Sequence, residues 1–429
     1  MKKSFLKRIL PVLGIMGLFL SATAFASAKD YGIRNYCIVY GENGNITYDS
    51  YGKGIDENSV FELGSNGKTV AAYIALKLTD EGKIGLDDTI APYLDSNLLT
   101  NDERMNEITL RQLLCHTAGF SPSYEFGVDK KIYSDPGEEF RYSGVGYIYL
   151  QNVIENVSGM TFEQAAKHYV FEPLGMKNST FEKTKTVTPY IRFSSVTLYA
   201  FAVFLLSFIV LFLIAVIVGL ITNFRIYSLK TAFFVCFVLA GIINTTAILF
   251  ILSKAAVPFF IYFAAAGLIL FLTRKKNVLY YSVMPALTVL ILILGFTLPG
   301  SLPVTNDLTA RKANCAYSLK STGNDMGLFC AELMNEYADE NSAVHDMFSP
   351  VVTVDDSLSW GLGIAIESDE GKETYWHSGI NPGFQSLYVL YPSVDRFIVV
   401  ITDSDNGLDY AKERAKTFLD VNGRWDIPR

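Results

Sequence analysis

Between residues 196 and 222 the chain carries no charged side chain, and three further uncharged apolar runs follow at 231–252, 255–273 and 278–299. Each is long enough to cross the roughly 30 Å hydrocarbon core of a bilayer as a helix. Helices satisfy their own backbone hydrogen bonds in lipid, which irregular chain cannot do. Four such runs joined by a few residues do not suit the buried helices of a soluble core, so four transmembrane helices are expected, with a lipid bilayer as their partner.

The connectors orient the block. Arg225 and Lys230 follow the first run, Lys254 alone the second, and Arg274, Lys275 and Lys276 the third. Cations concentrate on the cytoplasmic side, which places the first and third connectors inside and both flanking segments outside. The N-terminus agrees: Lys2, Lys3, Lys7 and Arg8 precede a short apolar run and then Ala26-Ser27-Ala28, the order of a secretory signal peptide. The expected organisation is a signal peptide at 1–28, soluble segments at 29–190 and 301–429, and the membrane block at 191–300. Localisation is then the cell membrane, multi-pass, with the soluble segments extracytoplasmic.

Several classes fall away. A net charge of −7, with no Lys/Arg-rich run outside the signal and membrane flanks, leaves no footprint for nucleic acid. His116, His168, His345 and His377 are scattered without ligand spacing and no C-x-x-C occurs, so neither a metal nor another cofactor is expected. Cys37, Cys115, Cys315 and Cys330 would face an oxidising or neutral exterior, but no disulfide can be paired from sequence.

The first soluble segment has strand-like alternation over 36–51, then Phe61-Glu62-Leu63-Gly64-Ser65-Asn66-Gly67-Lys68 and an amphipathic helix expected over 69–82. Three residues along a helical turn bring Lys68 to the face of Ser65, where a deprotonated amine could take the hydroxyl proton. The helix N-terminus would turn the Ser65 N–H toward developing negative charge. An N-cap serine beside a solvated lysine gives the same local pattern, so the rest of the chain must decide.

After Ser65-x-x-Lys68 come Leu113-Leu114-Cys115-His116-Thr117-Ala118-Gly119-Phe120, Pro136-Gly137 and Tyr142-Ser143-Gly144; far downstream stands Trp376-His377-Ser378-Gly379-Ile380-Asn381-Pro382-Gly383-Phe384. In order and spacing this series resembles the serine beta-lactamase-related, penicillin-binding-protein-like hydrolases, over about 31–188 and 314–422. The resemblance implies an α/β (α+β) fold of beta-lactamase/transpeptidase type, with an antiparallel sheet and a helical region, interrupted by the four-helix insertion. It implies Ser65 as acylated nucleophile, Lys68 and Tyr142 as acid/base pair, and His377 in the third motif, with the backbone N–H groups of Ser65 and Ile380 as oxyanion hole. Gly144, Ser378 and Gly379 fall at substrate-binding positions. A tyrosine hydroxyl near two amines or imidazoles can be shifted toward ionisation and can pass protons between nucleophile and leaving group. His116 is expected to fix a loop, and Asp87 and Asp88 to form a turn.

Two positions bear on the substrate. Gly144 stands where an asparagine amide usually meets the substrate. His377, at a position that is Lys or His in related enzymes, differs from the lysine of the penicillin-binding enzymes in being largely neutral near pH 7 and attracting a substrate carboxylate less strongly. Because Ser65 and His377 flank the membrane block, the block must cross an even number of times if they are to share a cleft. The insertion is expected in a surface loop between 176–181 and 316–321. The expected function is a membrane-anchored serine hydrolase acting through an acyl-enzyme on D-amino-acid peptides, esters or lactams, the substrate being a small molecule or derived from peptidoglycan. Its alternatives are a membrane-coupled sensor of penicillin or muropeptides and a catalytically decayed binding relative. Segments 122–135 and 340–354 are expected to set the substrate.

Overall fold

The computed structural model describes residue 31 and residues 33–122, 130–221, 301–303 and 313–427, with helical positions at 235–236, 239–240 and 243. The expected signal peptide, the third and fourth apolar runs, most of the second and part of the 122–135 segment lie outside the described residues. The chain divides into two units, Ile33–Ile191 with Pro303–Arg429, and Met1–Gly32 with Arg192–Leu302.

In the first of these, the alternating stretch folds as a hairpin of β1 (Tyr36–Glu42) and β2 (Asn45–Tyr51), turning through Asn43 and Gly44 at positive φ. Strand β3 (Phe61–Gly64) leads into α1 (Gly67–Asp80). The helix begins and ends two residues earlier than the hydrophobic pattern suggests, because Gly82 at φ +66° already turns the chain away. Short α2 (Leu110–Leu114) starts on a Thr109–Gln112 capping box, α3 (Gly144–Ser158) on the Ser143 hydroxyl, and α4 (Phe162–Ala166) on a Thr161–Gln164 box.

Two short strands, β4 (Tyr190–Arg192) and β5 (Ser301–Pro303), pair with each other on either side of the apolar block. Among the described residues of the second unit, α5 (Phe193–Ile221) runs for 29 residues without a charge. Its stretch Phe201–Val218 has a mean hydropathy of 3.3, none of it is buried by protein, and it is the one described helix long and apolar enough to cross a membrane.

Past the block come β6 (Leu319–Ser321), α6 (Gly323–Ala338), β7 (Val352–Thr353), β8 (Leu358–Trp360), β9 (Ala365–Asp369), β10 (Lys372–Asn381), β11 (Phe384–Tyr391), β12 (Arg396–Thr402) and α7 (Gly407–Leu419). An eight-stranded antiparallel sheet runs β2-β1-β12-β11-β10-β9-β8-β7. Its central strands are nearly continuous in apolar residues, as strands covered on both faces must be. Along β12, Val399 and Ile401 enter the core shared with Phe329 and Leu333 of α6, while Ile398 and Val400 enter the core shared with Ala411 and Ala415 of α7. Each such side chain contributes about 1.5–3 kcal/mol on burial. The antiparallel sheet with helices expected of the α/β class is therefore present.

Segments from before and after the apolar block are interleaved in this unit. β1 pairs with β12, β3 pairs with β6, and Thr180 and Lys320 exchange backbone hydrogen bonds of 2.9 and 2.8 Å. The five cysteines are all buried free thiols, so the disulfide left open by the sequence is not formed.

Candidate active site

Ser65 is delivered by a fully buried strand and a tight turn. Gly64 sits at φ +52°, and a Cβ there would come within 2.8 Å of the Ile380 nitrogen. Only glycine suits both the backbone conformation and that approach. Asn66 leads into α1 without capping it with its side chain. Its Nδ2 instead donates to Ser386 Oγ at 2.8 Å, and Ser386 Oγ donates to the Leu63 carbonyl at 3.2 Å, tying the turn to β11.

Lys68, in the first turn of α1, is 1 % exposed. Its Nζ lies 2.9 Å from Ser65 Oγ and donates to the Ala316 carbonyl at 2.6 Å. No carboxylate accompanies it in these contacts; burial lowers the amine to a pKa of about 7, with Cys315 nearby pulling weakly the other way. Near neutral pH a large share of Lys68 is thus an uncharged amine beside the hydroxyl, able to accept its proton.

Tyr142 arrives from the bend at Pro136-Gly137, where Gly137 N–H donates to the Thr117 carbonyl at 2.7 Å. Its hydroxyl is hydrogen-bonded to Ser65 and stands 3.5 Å from His377 Nε2. Burial opposes the shift toward ionisation that the sequence left open. Burial raises the phenol well above its ordinary range, and the Ser65 hydrogen bond only partly offsets it. Tyr142 is therefore a neutral phenol, and Lys68 is the group poised to change charge.

His377 lies on β10 and is fully buried. Its Nδ1 is 2.8 Å from the Ser378 carbonyl, which can only accept, so the proton sits on Nδ1 and the Nε2 lone pair faces the Tyr142 hydroxyl. Burial, then the nearby Lys68 charge, depress its pKa to about 3. The imidazole is neutral across the physiological range.

The remaining expected residues line the same region. Ile380 is 49 % exposed, and its backbone lies against Gly64. At Gly379 a Cβ would be 1.8 Å from the Leu63 carbonyl, so the close approach of β10 to β3 depends on that glycine. Ser378 is buried and its carbonyl orients His377, while Gly144 opens α3 with its N–H on the Pro122 carbonyl at 3.1 Å. Asp88 accepts from Gly85 N–H and Asp87 pairs with Arg111, both as turn-forming groups. Among the described residues no group of three or more His, Cys, Asp or Glu side chains could hold a metal ion.

Several contributors have no local sequence signal. The Ala316 carbonyl that anchors Lys68 is 248 residues away in sequence. Trp360 packs 5.8 Å from the Tyr142 ring and 5.7 Å from His377. Ser386 supports the turn from β11. Long-range partners of this kind leave no periodicity or spacing to read.

Comparison with known proteins adds a family. The Beta-lactamase family model matches residues 20–195. Protein flp of Staphylococcus aureus (strain MW2) is 29% identical over 141 residues, which span 29% of this chain and 28% of that protein. Penicillin-binding protein 4 of Amycolatopsis lactamdurans is 25% identical over 149 residues, 31% of this chain and 39% of that protein. The chain thus spans well under half the length of these curated relatives. Among solved structures, the octameric penicillin-binding protein homologue from Pyrococcus abyssi superposes with a TM-score of 0.58 at 16% identity, covering 96% of this chain and 78% of that one. A D-stereospecific amidohydrolase from Streptomyces sp. gives 0.58 at 17%, covering 91% and 95%, and a class C beta-lactamase gives 0.57 at 14%, covering 92% of both. At such identities the likeness is one of fold. Residues 20–195 thus match the Beta-lactamase family model, and the fold is that of penicillin-binding-protein homologues and class C beta-lactamases.

Proposed function

We propose that the chain is a membrane-tethered serine hydrolase that works through an acyl-enzyme on Ser65, with D-amino-acid peptides, esters or lactams as substrates. The observation that carries this reading is the buried Lys68 amine, 2.9 Å from Ser65 Oγ and lowered to a pKa of about 7. Ser65 Oγ attacks the acyl carbonyl while its proton passes to neutral Lys68. The oxyanion is met by the N–H groups of Ser65 and Ile380. As the leaving group departs, the proton held by Lys68 returns to it through the neutral Tyr142 phenol, whose hydroxyl His377 orients. Water then hydrolyses the ester on Ser65.

A neutral His377 offers a substrate carboxylate no cation, and Gly144 offers an acyl amide no side chain. The first favours ester or D-amino-acid substrates over carboxylate-anchored ones, and the second counts against recognition of beta-lactams or peptides through their acyl amide. Helix α5 supports the tether. The further three spans, the outward orientation and the extracytoplasmic site follow from the apolar runs and the connector cations, and the β4–β5 pairing suits an even number of crossings.

The test is to treat detergent-solubilised protein with a fluorescent fluorophosphonate and, separately, a fluorescent penicillin, mapping the modified peptide by mass spectrometry. Phosphonate labelling at Ser65, lost in Ser65→Ala, is expected. Penicillin co-labelling would indicate lactam or cell-wall recognition, and its absence ester substrates. Labelling by neither would refute the reading in favour of a binding relative.

A further inference from the structure

One residue holds the segment that carries Tyr142 from both sides. Arg141 N–H donates to the His116 carbonyl at 2.8 Å, and Ser143 N–H donates to His116 Nδ1 at 3.1 Å. Tyr142 lies between these two amides, its ring centroid 4.4 Å from the imidazole. The arrangement carries two local costs. His116 stands at φ +60°, which non-glycine residues seldom adopt, and its Nε2 is buried without a hydrogen-bond partner. Since Nδ1 accepts from Ser143, the neutral ring carries its proton on Nε2, packed among the rings of Phe140, Tyr147 and Trp360. Burial, then the nearby Lys68 and His377, hold its pKa well below that of an ordinary imidazole. Nδ1 is therefore a permanent acceptor. Backbone strain and an unpaired buried donor persist where the surroundings over-determine them, and such features gather at functional sites.

We propose that His116 is a positioning residue of the Ser65 site, which clamps Arg141 and Ser143 so that the Tyr142 hydroxyl meets both Ser65 and His377 Nε2. This rests on the acyl-enzyme reading above. It also makes a stereochemical demand. An asparagine at 116 would put Oδ1 where Nδ1 now sits and tolerate the positive φ. Glutamine would put its acceptor one bond too far out, and glycine would relieve the backbone while removing the acceptor.

The experiment compares His116→Asn, His116→Gln and His116→Gly in the full chain by hydrogen–deuterium exchange and by the rate of Ser65 phosphonate labelling. The asparagine variant is expected to keep wild-type exchange across 141–143 and most of its labelling rate. The glutamine and glycine variants should exchange there at least about tenfold faster and label about 100-fold more slowly, with α1 and β10–β12 exchanging as in wild type. Wild-type exchange in the glutamine and glycine variants would overturn the clamp, and so would an equal labelling loss in all three. Failure of the wild type to label would instead refute the acyl-enzyme reading, with the exchange pattern still deciding the clamp.

Discussion

Helices α1 and α5 are both largely apolar, and they meet that condition in opposite ways. Eleven of the fourteen residues of α1 are buried by the protein around them. None of the Phe201–Val218 stretch of α5 is. For α1 the protein interior is the solvent, and the one amine near its start loses hydration and becomes a base. For α5 the protein supplies no cover, the helix carries no charge, and lipid is the medium that suits it. The same hydrophobic physics thus yields a reactive group in one helix and an anchor in the other, the difference being whether an ionisable residue was placed in the dry region.

The sharpest way to break this comparison is to put a lysine into each helix. Ala72, on α1, is fully buried against Gly363, where even a Cβ would lie 2.2 Å from the Ala72 Cβ. Ala72→Lys should cost more than about 4 kcal/mol and leave no folded, labelled protein. Ile209→Lys in α5, at an exposed position, should leave Ser65 labelling intact and weaken membrane retention by about 3 kcal/mol. Labelling and carbonate-resistant membrane fractionation read the two outcomes. Equal loss of fold in both variants would remove the distinction between the helices.

Next in size is Lys68→Met. Loss of the proton acceptor should slow Ser65 labelling by about 10³-fold, within the range for general base groups. Stability should move the other way. The folded pKa of Lys68 is about 7 against an ordinary 10.5, so between these values the unfolded chain holds more protons and stability climbs with pH. The burial penalty is complete at and below pH 7. Calorimetry should therefore show a higher melting temperature for Lys68→Met at pH 7, with the gain shrinking toward pH 10.5.

What the sequence made legible follows the range of each interaction. Ser65 and Lys68 are one turn apart, so their partnership could be read from local periodicity, and the alternation at 36–51 gave the β1–β2 hairpin. Tyr142 and His377 could be found only through family resemblance, since 235 residues separate them. The protonation state of Tyr142 could not be read from its motif, because it depends on burial, which raises the phenol. Ala316, Ser386 and the double role of His116 depend on contacts between residues distant in the sequence, and Cys37, Cys115, Cys315 and Cys330 are all buried free thiols.

The pH dependence of Ser65 phosphonate labelling, with the modified residue mapped at each pH, tests the central claim most directly. The account predicts a rate that rises about tenfold per pH unit up to about pH 7, as Lys68 loses its proton, and then levels. A rate that is flat from pH 5 to 9, or one that rises only toward the ordinary lysine range, would contradict it.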